Sequence, residues 1–391
     1  MAPAMLNPLV TRLSPPPIPA VQAWGRSYDG IHGPLIDLSQ AVPGYPPHAD
    51  MLQWLGEAGS SPAYANYGPI EGETALRQAY AAHVSEVYGA SIDASGIHIT
   101  SGCNQAFVCA VMAVAASGDT VLMTDPFYFN HETTLSMLGI RTGFVACDSS
   151  GGFVPAVEAV ERAITPDVRA LALVTPNNPT GAIYPPARLR AIFELCRRKG
   201  IWLVLDETYR DFLPAGTEAP HDLFQERDWQ DNLIQLYSFS KSFCIPGHRL
   251  GAMTAGASVI GEVAKIMDNL QICPPRAAQG AVARGLPALA EWREGNRQEI
   301  ELRAQALREA MSGLKGWTLE AIGAYFAFVR HPCEGRASVE VAEHLAKHAG
   351  ILTIPGEYFG AGQAPFLRFA FANADVSTIG RLTDRMKDFN L

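Results

Sequence analysis

Residues 233–251 read Leu-Ile-Gln-Leu-Tyr-Ser-Phe-Ser-Lys-Ser-Phe-Cys-Ile-Pro-Gly-His-Arg-Leu-Gly, and this stretch decides the fold. Its opening, 233–236, is a short run of mostly apolar residues, the pattern of a strand covered on both faces. The run ends on Ser238, Ser240 and Lys241, and Arg249 follows eight residues after the lysine. The same order, an apolar run and then a polar cluster, recurs upstream. Residues 97–100 lead to Ser101-Gly102-Cys103-Asn104, and 120–123 lead to Asp125-Pro126-Phe127-Tyr128. Residues 170–174 lead to Thr175-Pro176-Asn177-Asn178-Pro179-Thr180-Gly181, and 201–205 to Asp206-Glu207-Thr208-Tyr209.

Helical patterns lie between these runs. Residues 73–88 read as an amphipathic helix stopped by Gly89, and 105–116 as another. Strand and helix alternation predicts an α/β fold with a mainly parallel sheet and right-handed crossovers. Ligands of such sheets bind beyond the carboxyl ends of the strands, where the polar clusters stand. The last hundred or so residues differ. Residues 292–311 read as a long charged helix, 325–329, 351–354 and 366–371 as strands, and 339–348 (N-cap Ser338) and 377–389 as helices. This mixture predicts a smaller α+β domain from 31–48 and 283–391, beside a large domain over 49–282. Residues 1–30 are proline-rich, unsuited to a helix interior or a central strand, and are expected to form either an arm lying on another surface, such as a second subunit, or a disordered tail.

Length and composition bound the function. A chain of 391 residues suits two domains. Its formal charge is −9 and no dense basic block occurs, which argues against nucleic acid. No apolar run reaches the ~18 residues that a membrane span needs, and no signal-peptide pattern opens the chain. Seven scattered cysteines without a CxxC pair read as free thiols in a reducing cytoplasm. No metal site is expected.

The polar clusters complement one another, and each suits a part of pyridoxal phosphate. Free N–H groups at the helix start, Gly102-Cys103-Asn104, favour a phosphate dianion, and the glycine lets it approach. Ser238, Ser240 and Arg249 can add donors to it. Asp206, a carboxylate behind an apolar strand, needs a cationic partner, and a protonated pyridine nitrogen is one. Asn178 and Tyr209 can bond the ring's phenolic oxygen, and Tyr128 can stack on its face. Lys241 supplies the amine for a Schiff base, with Arg249 nearby disfavouring its charged form. Once released, that amine can carry a proton between the substrate Cα and C4′ of the cofactor.

These residues, in this order, resemble the class I/II aminotransferase family (the aspartate aminotransferase superfamily) of fold-type I enzymes dependent on pyridoxal phosphate. The resemblance covers roughly 35–390 and is carried by 238–251, 177–181 and 206–209. It implies Lys241 as the Schiff-base lysine, Arg249 as the phosphate arginine and Arg368 as the grip on a substrate carboxylate. It also implies Tyr67 as a residue reaching the phosphate of a neighbouring subunit, hence a homodimer with shared active sites. Three positions depart from the family pattern: Ala41 where many members have glycine (with Gly44 nearby), His248 where an aromatic residue is common, and Arg210 where an acid is common.

The expected reaction moves an amino group from an L-amino acid to a 2-oxo acid in a ping-pong cycle. The alternatives on the same scaffold are a C–S lyase, a decarboxylase or a cyclising synthase, since the cofactor supplies the electron sink in all of them. A regulator that merely senses the cofactor would carry an added DNA-binding domain, and only about 35 residues precede the matched region. Arg26 and Arg276 are candidates for a second carboxylate of the substrate, whereas Trp24, Tyr45 and Tyr325 lean toward a neutral or aromatic side chain.

Overall fold

The computed structural model describes residues 4–389 and 391; residues 1–3 and 390, at the ends of the expected arm and smaller domain, lie outside the described residues. Its strands are β1 Ile36–Asp37, β2 Ile97–Thr100, β3 Thr120–Asp125, β4 Arg141–Ala146, β5 Val168–Val174, β6 Trp202–Asp206, β7 Leu233–Ser238, β8 Gly251–Thr254, β9 Thr318–Gly323, β10 Phe326–Arg330, β11 Ile351–Leu352, β12 Ile354–Pro355 and β13 Phe366–Phe369. Seven of them form one sheet in the order β2-β8-β7-β6-β5-β3-β4. Only β8 runs against its neighbours, β2 and β7. The carboxyl ends of β2, β3, β5, β6 and β7 therefore point the same way.

The pleat explains why these strands are apolar throughout. Ala170, Ala172, Val204, Ile234 and Leu236 pack on one face with Phe107 and Val111 of the helix Cys103–Val114. Leu171, Leu173, Leu203, Leu205 and Tyr237 pack on the other, toward the helices Thr74–Tyr88 and Pro186–Lys199. Burial of each such Leu or Ile contributes about 1.5–3 kcal/mol, so neither face could be given to water. The strands β4 and β8 carry no such apolar run. The edge strand β4 is largely solvent-facing, and β8 (Gly-Ala-Met-Thr) is short.

The C-terminal third builds a second, antiparallel sheet, β12-β13-β10-β9, and β1 pairs in parallel with β11. The expected strand over 351–354 is thus divided between two sheets. The helix Ala290–Ser312 lies against this region. The helix expected from Val339 begins at Ser338, and its N-cap is Ala337. Ser338 does not cap it, because its hydroxyl donates to Glu357 Oε2 at 2.9 Å. The helix expected over 377–389 is two short ones, Val376–Gly380 and Leu382–Met386, the first capped by Asp375.

The proline-rich start also differs from its reading. It forms the helix Pro17–Gly25, with proline only in the first turn, where the missing N–H costs nothing. This helix docks on its own chain, burying Val21 and setting Gly25 against Leu352.

Candidate active site

One cavity opens at the carboxyl ends of these strands. Its wall is Cys103, Asn104, Tyr128, Val174, Asn178, Asp206, Thr208, Tyr209, Ser238, Ser240, Lys241, Pro246 and Arg249. The helix Cys103–Val114 starts there, behind Gly102 at φ 85°. A Cβ on Gly102 would clash with Arg249 Nη2, so glycine supplies both the backbone angle and the clearance. Arg249 donates to the Pro246 carbonyl at 3.0 Å and to that of Ser101 at 3.4 Å. Ser238 Oγ accepts from Ser240 N at 3.3 Å, capping the short helix Phe239–Ser242. Helix N–H groups, two hydroxyls and a guanidinium therefore surround one end of the cavity, a donor set that fits a phosphate dianion.

The other end is built around Asp206. Its side chain is buried, Oδ1 accepts from Thr208 N at 2.9 Å, and Oδ2 lies 3.4 Å from His131 Nε2. Burial alone would raise its pKa; His131 and the Thr208 bonds outweigh this and hold it below the usual carboxylate range. His131 stacks on Phe107 with ring centroids 3.7 Å apart. Both His131 and Thr208 escaped the sequence reading. The signal for the histidine was present: it stands one turn past Tyr128, and a buried Asp206 needs a partner.

Asn178 and Tyr209 complete the wall. Asn177 turns inward, its Oδ1 accepting from Thr180 Oγ1 at 2.8 Å, which leaves Asn178 facing the cavity. Asn178 Oδ1 accepts from Arg368 Nη1 at 3.0 Å. Arg368 is buried behind that wall, donates also to the Ser39 carbonyl, and has no carboxylate partner among the described residues. Burial pushes its pKa down to about 10. An arginine so placed suits an incoming carboxylate. Lys241 Nζ donates to the Ala41 carbonyl. Burial first, then Arg249 and Arg368, lower its pKa to about 8.

A family model, "Aminotransferase class I and II", matches residues 33–386. The chain belongs to the class I and II aminotransferases. Members of this family depend on pyridoxal phosphate and exchange an amino group between an amino acid and a 2-oxo acid. An aromatic aminotransferase of Arabidopsis thaliana is 29% identical over 86% of this chain and 84% of its own length. An arginine–pyruvate transaminase of Pseudomonas aeruginosa is 30% identical over 78% of this chain and 77% of its own. Among solved structures, an aspartate aminotransferase double mutant of Thermus thermophilus superposes with a TM-score of 0.90 at 25% identity, over 98% of this chain and 99% of that one.

Other predicted residues of this aminotransferase lie elsewhere. Tyr67 is 77% exposed and does not reach the cavity of its own chain. Arg276, a candidate for a second substrate carboxylate, is already engaged. It pairs with Glu73 at 2.5 Å and donates to the Ala63 and Asn66 carbonyls at 2.7 and 2.8 Å. Arg26 is exposed at the end of the helix Pro17–Gly25. Tyr325 is wholly buried against Tyr209 and Phe212, so it packs rather than lines. Trp24 packs against the core of the C-terminal region, as does Tyr45. Gly44 is hemmed in by Asn373 and Arg303, His248 is exposed, and Arg210 is buried among tyrosines. No helix among the described residues is long and apolar enough to cross a membrane.

Proposed function

We propose that this aminotransferase holds pyridoxal phosphate through Lys241 and accepts an L-amino acid with a neutral or aromatic side chain. The observation that carries this reading is the meeting, in one cavity, of a phosphate-type donor set, a buried carboxylate and an amine of lowered pKa. The bound cofactor supplies an electron sink. Asp206, held below the usual carboxylate range by His131 and Thr208, would pair with a protonated ring nitrogen. Asn178 and Tyr209 would donate to or accept from the ring's oxygen, and Tyr128 would pack on the ring. Gly102, Cys103, Asn104, Ser238, Ser240 and Arg249 hold the phosphate. Lys241, in its uncharged form, would take the proton from the donor's Cα. Amino donor and 2-oxo acid then use the site in turn, as a ping-pong cycle.

Arg368 grips the α-carboxylate, with Asn178 orienting its fork. We take 49–282 as the larger domain and 31–48 with 283–391 as the smaller, which brings Arg368 and the Ser39–Ala41 carbonyls over the site. The engagement of Arg276 by Glu73, and the absence of Arg26 from the cavity wall, support the neutral or aromatic preference. The test is a panel of amino donors, each scored by loss of the cofactor's visible absorbance and its return on adding a 2-oxo acid. Aromatic and neutral donors should lead, and aspartate or glutamate leading the panel would refute the preference. Release of pyruvate and ammonia without a 2-oxo acid would favour a lyase. In the same assay Arg368→Lys should raise KM for the donor about 10–100-fold, since a point charge replaces a bidentate fork. An unchanged KM would remove Arg368 from the substrate site.

The exposed Tyr67 supports a homodimer with shared sites. Its segment is pinned by Arg276 on both sides of it, at Asn66 O and beside Gly68. Sedimentation of the cofactor-loaded protein at micromolar concentration should give a dimer, and Tyr67→Phe should weaken cofactor binding about tenfold. A fully loaded monomer would contradict this part. Seven unpaired cysteines suit a cytoplasmic location.

A further inference from the structure

We propose that Tyr237, bridging Asp211 and Ser242, is a positioning residue that fixes the turn carrying Lys241 against the turn carrying Tyr209. This rests on the reading of Lys241 and Tyr209 as parts of one cofactor site. Lys241 leaves a helix of only four residues, Phe239–Ser242, too short to hold its own shape. The back of that helix is pinned. Ser242 is buried, turns away from the cavity, and has its Oγ 2.9 Å from the Tyr237 hydroxyl. The Tyr237 hydroxyl donates to the Asp211 carboxylate, so Ser242 donates to Tyr237. Asp211 stands two residues past Tyr209, whose ring lines the cavity. The link thus spans the ends of the adjacent parallel strands β6 and β7.

A buried cation locks the tyrosine. Arg210 Cζ lies 4.1 Å from the Tyr237 ring centroid and 5.4 and 5.5 Å from those of Tyr88 and Tyr80. Arg210 Nη1 donates to the Tyr88 hydroxyl at 3.2 Å, which in turn donates to Glu207 Oε2 at 2.5 Å. The Asp211 and Glu207 carboxylates favour the Arg210 charge electrostatically, with no direct ion pair to it among the described residues. None of Tyr237, Asp211, Ser242, Arg210, Tyr88 and Glu207 lines the cavity, so this layer acts on the site only through the two turns.

The test uses the full chain without cofactor, comparing Ser242→Ala, Ser242→Thr and Tyr237→Phe with the wild type. Lys241 is acylated with trace acetic anhydride across pH 6 to 11 and its labelling is read by peptide mass spectrometry. Burial sets its midpoint first, followed by the charged and titratable groups around it, Arg249, Arg368 and Cys244. A turn freed from its brace lets the amine leave them for water. The midpoint should then rise by about half to one pH unit in Ser242→Ala and Tyr237→Phe, the worth of one hydrogen bond. Ser242→Thr, which keeps the hydroxyl, should hold the wild-type midpoint. An unmoved midpoint in Ser242→Ala or in a folded Tyr237→Phe overturns the proposal, as does a Ser242→Thr midpoint shifted as far as that of alanine. Adding pyridoxal phosphate to the wild type separates the two readings. Failure of the cofactor to protect Lys241 would sink the functional reading, while the labelling midpoints still decide the positioning one.

Discussion

Lys241→Ala should abolish the visible absorbance of the bound cofactor and lower kcat by about ten-thousandfold, the scale of a lost acid–base group in a site that otherwise stands. The reason lies in what surrounds the amine. Burial, Arg249 and Arg368 bring its pKa to about 8, against an ordinary 10.5. The sign follows directly: the environment disfavours the charged form, so the nucleophilic free base is populated above about pH 8 and roughly a tenth of it is already present at pH 7. Cofactor capture by the wild-type apoprotein should therefore climb about tenfold per pH unit up to about 8 and then level off. A lysine in water would keep climbing past pH 10. Retained turnover in the alanine variant, or a capture rate flat from pH 6 to 9, would remove Lys241 from the chemistry.

Asp206→Asn should cost about 10²–10³ in kcat while leaving the melting temperature within a few degrees. The amide keeps the shape and can still accept from Thr208 N, which bonds Oδ1 at 2.9 Å. It cannot hold a proton on a ring nitrogen by charge. Removing a buried carboxylate also relieves its desolvation, so the loss should be kinetic and not a failure to fold. His131 shares in this: its Nε2 lies 3.4 Å from Oδ2 and helps hold the carboxylate below its usual range. An Asp206→Asn protein with wild-type kcat would contradict the role given to Asp206.

The reach of the sequence differs from element to element. Strands β2, β3, β5, β6 and β7 were legible because two covered faces demand apolar runs, and each run ended in polar residues that had no packing reason to be there. Edge strand β4 and the short β8 were not, since their place depends on pairing with distant segments. The helix Pro17–Gly25 was misjudged because a proline count says nothing about position, and in a first turn proline is at home. Ser338 looked like a cap until Glu357, distant in the chain, claimed its hydroxyl.

The cavity divides the same way. Lys241, Asp206, Asn178, Tyr209 and Arg249 were determined by the sequence alone, because each is local to a strand end and a parallel sheet gathers strand ends on one edge. Tertiary structure alone decided the rest. It set His131 against Asp206, occupied Arg276 with Glu73, buried Tyr325, and joined Ser242 to Asp211 through Tyr237. These are contacts between segments far apart in the chain or on different strands, fixed by how helices seat on the sheet, and no local spacing encodes that seating.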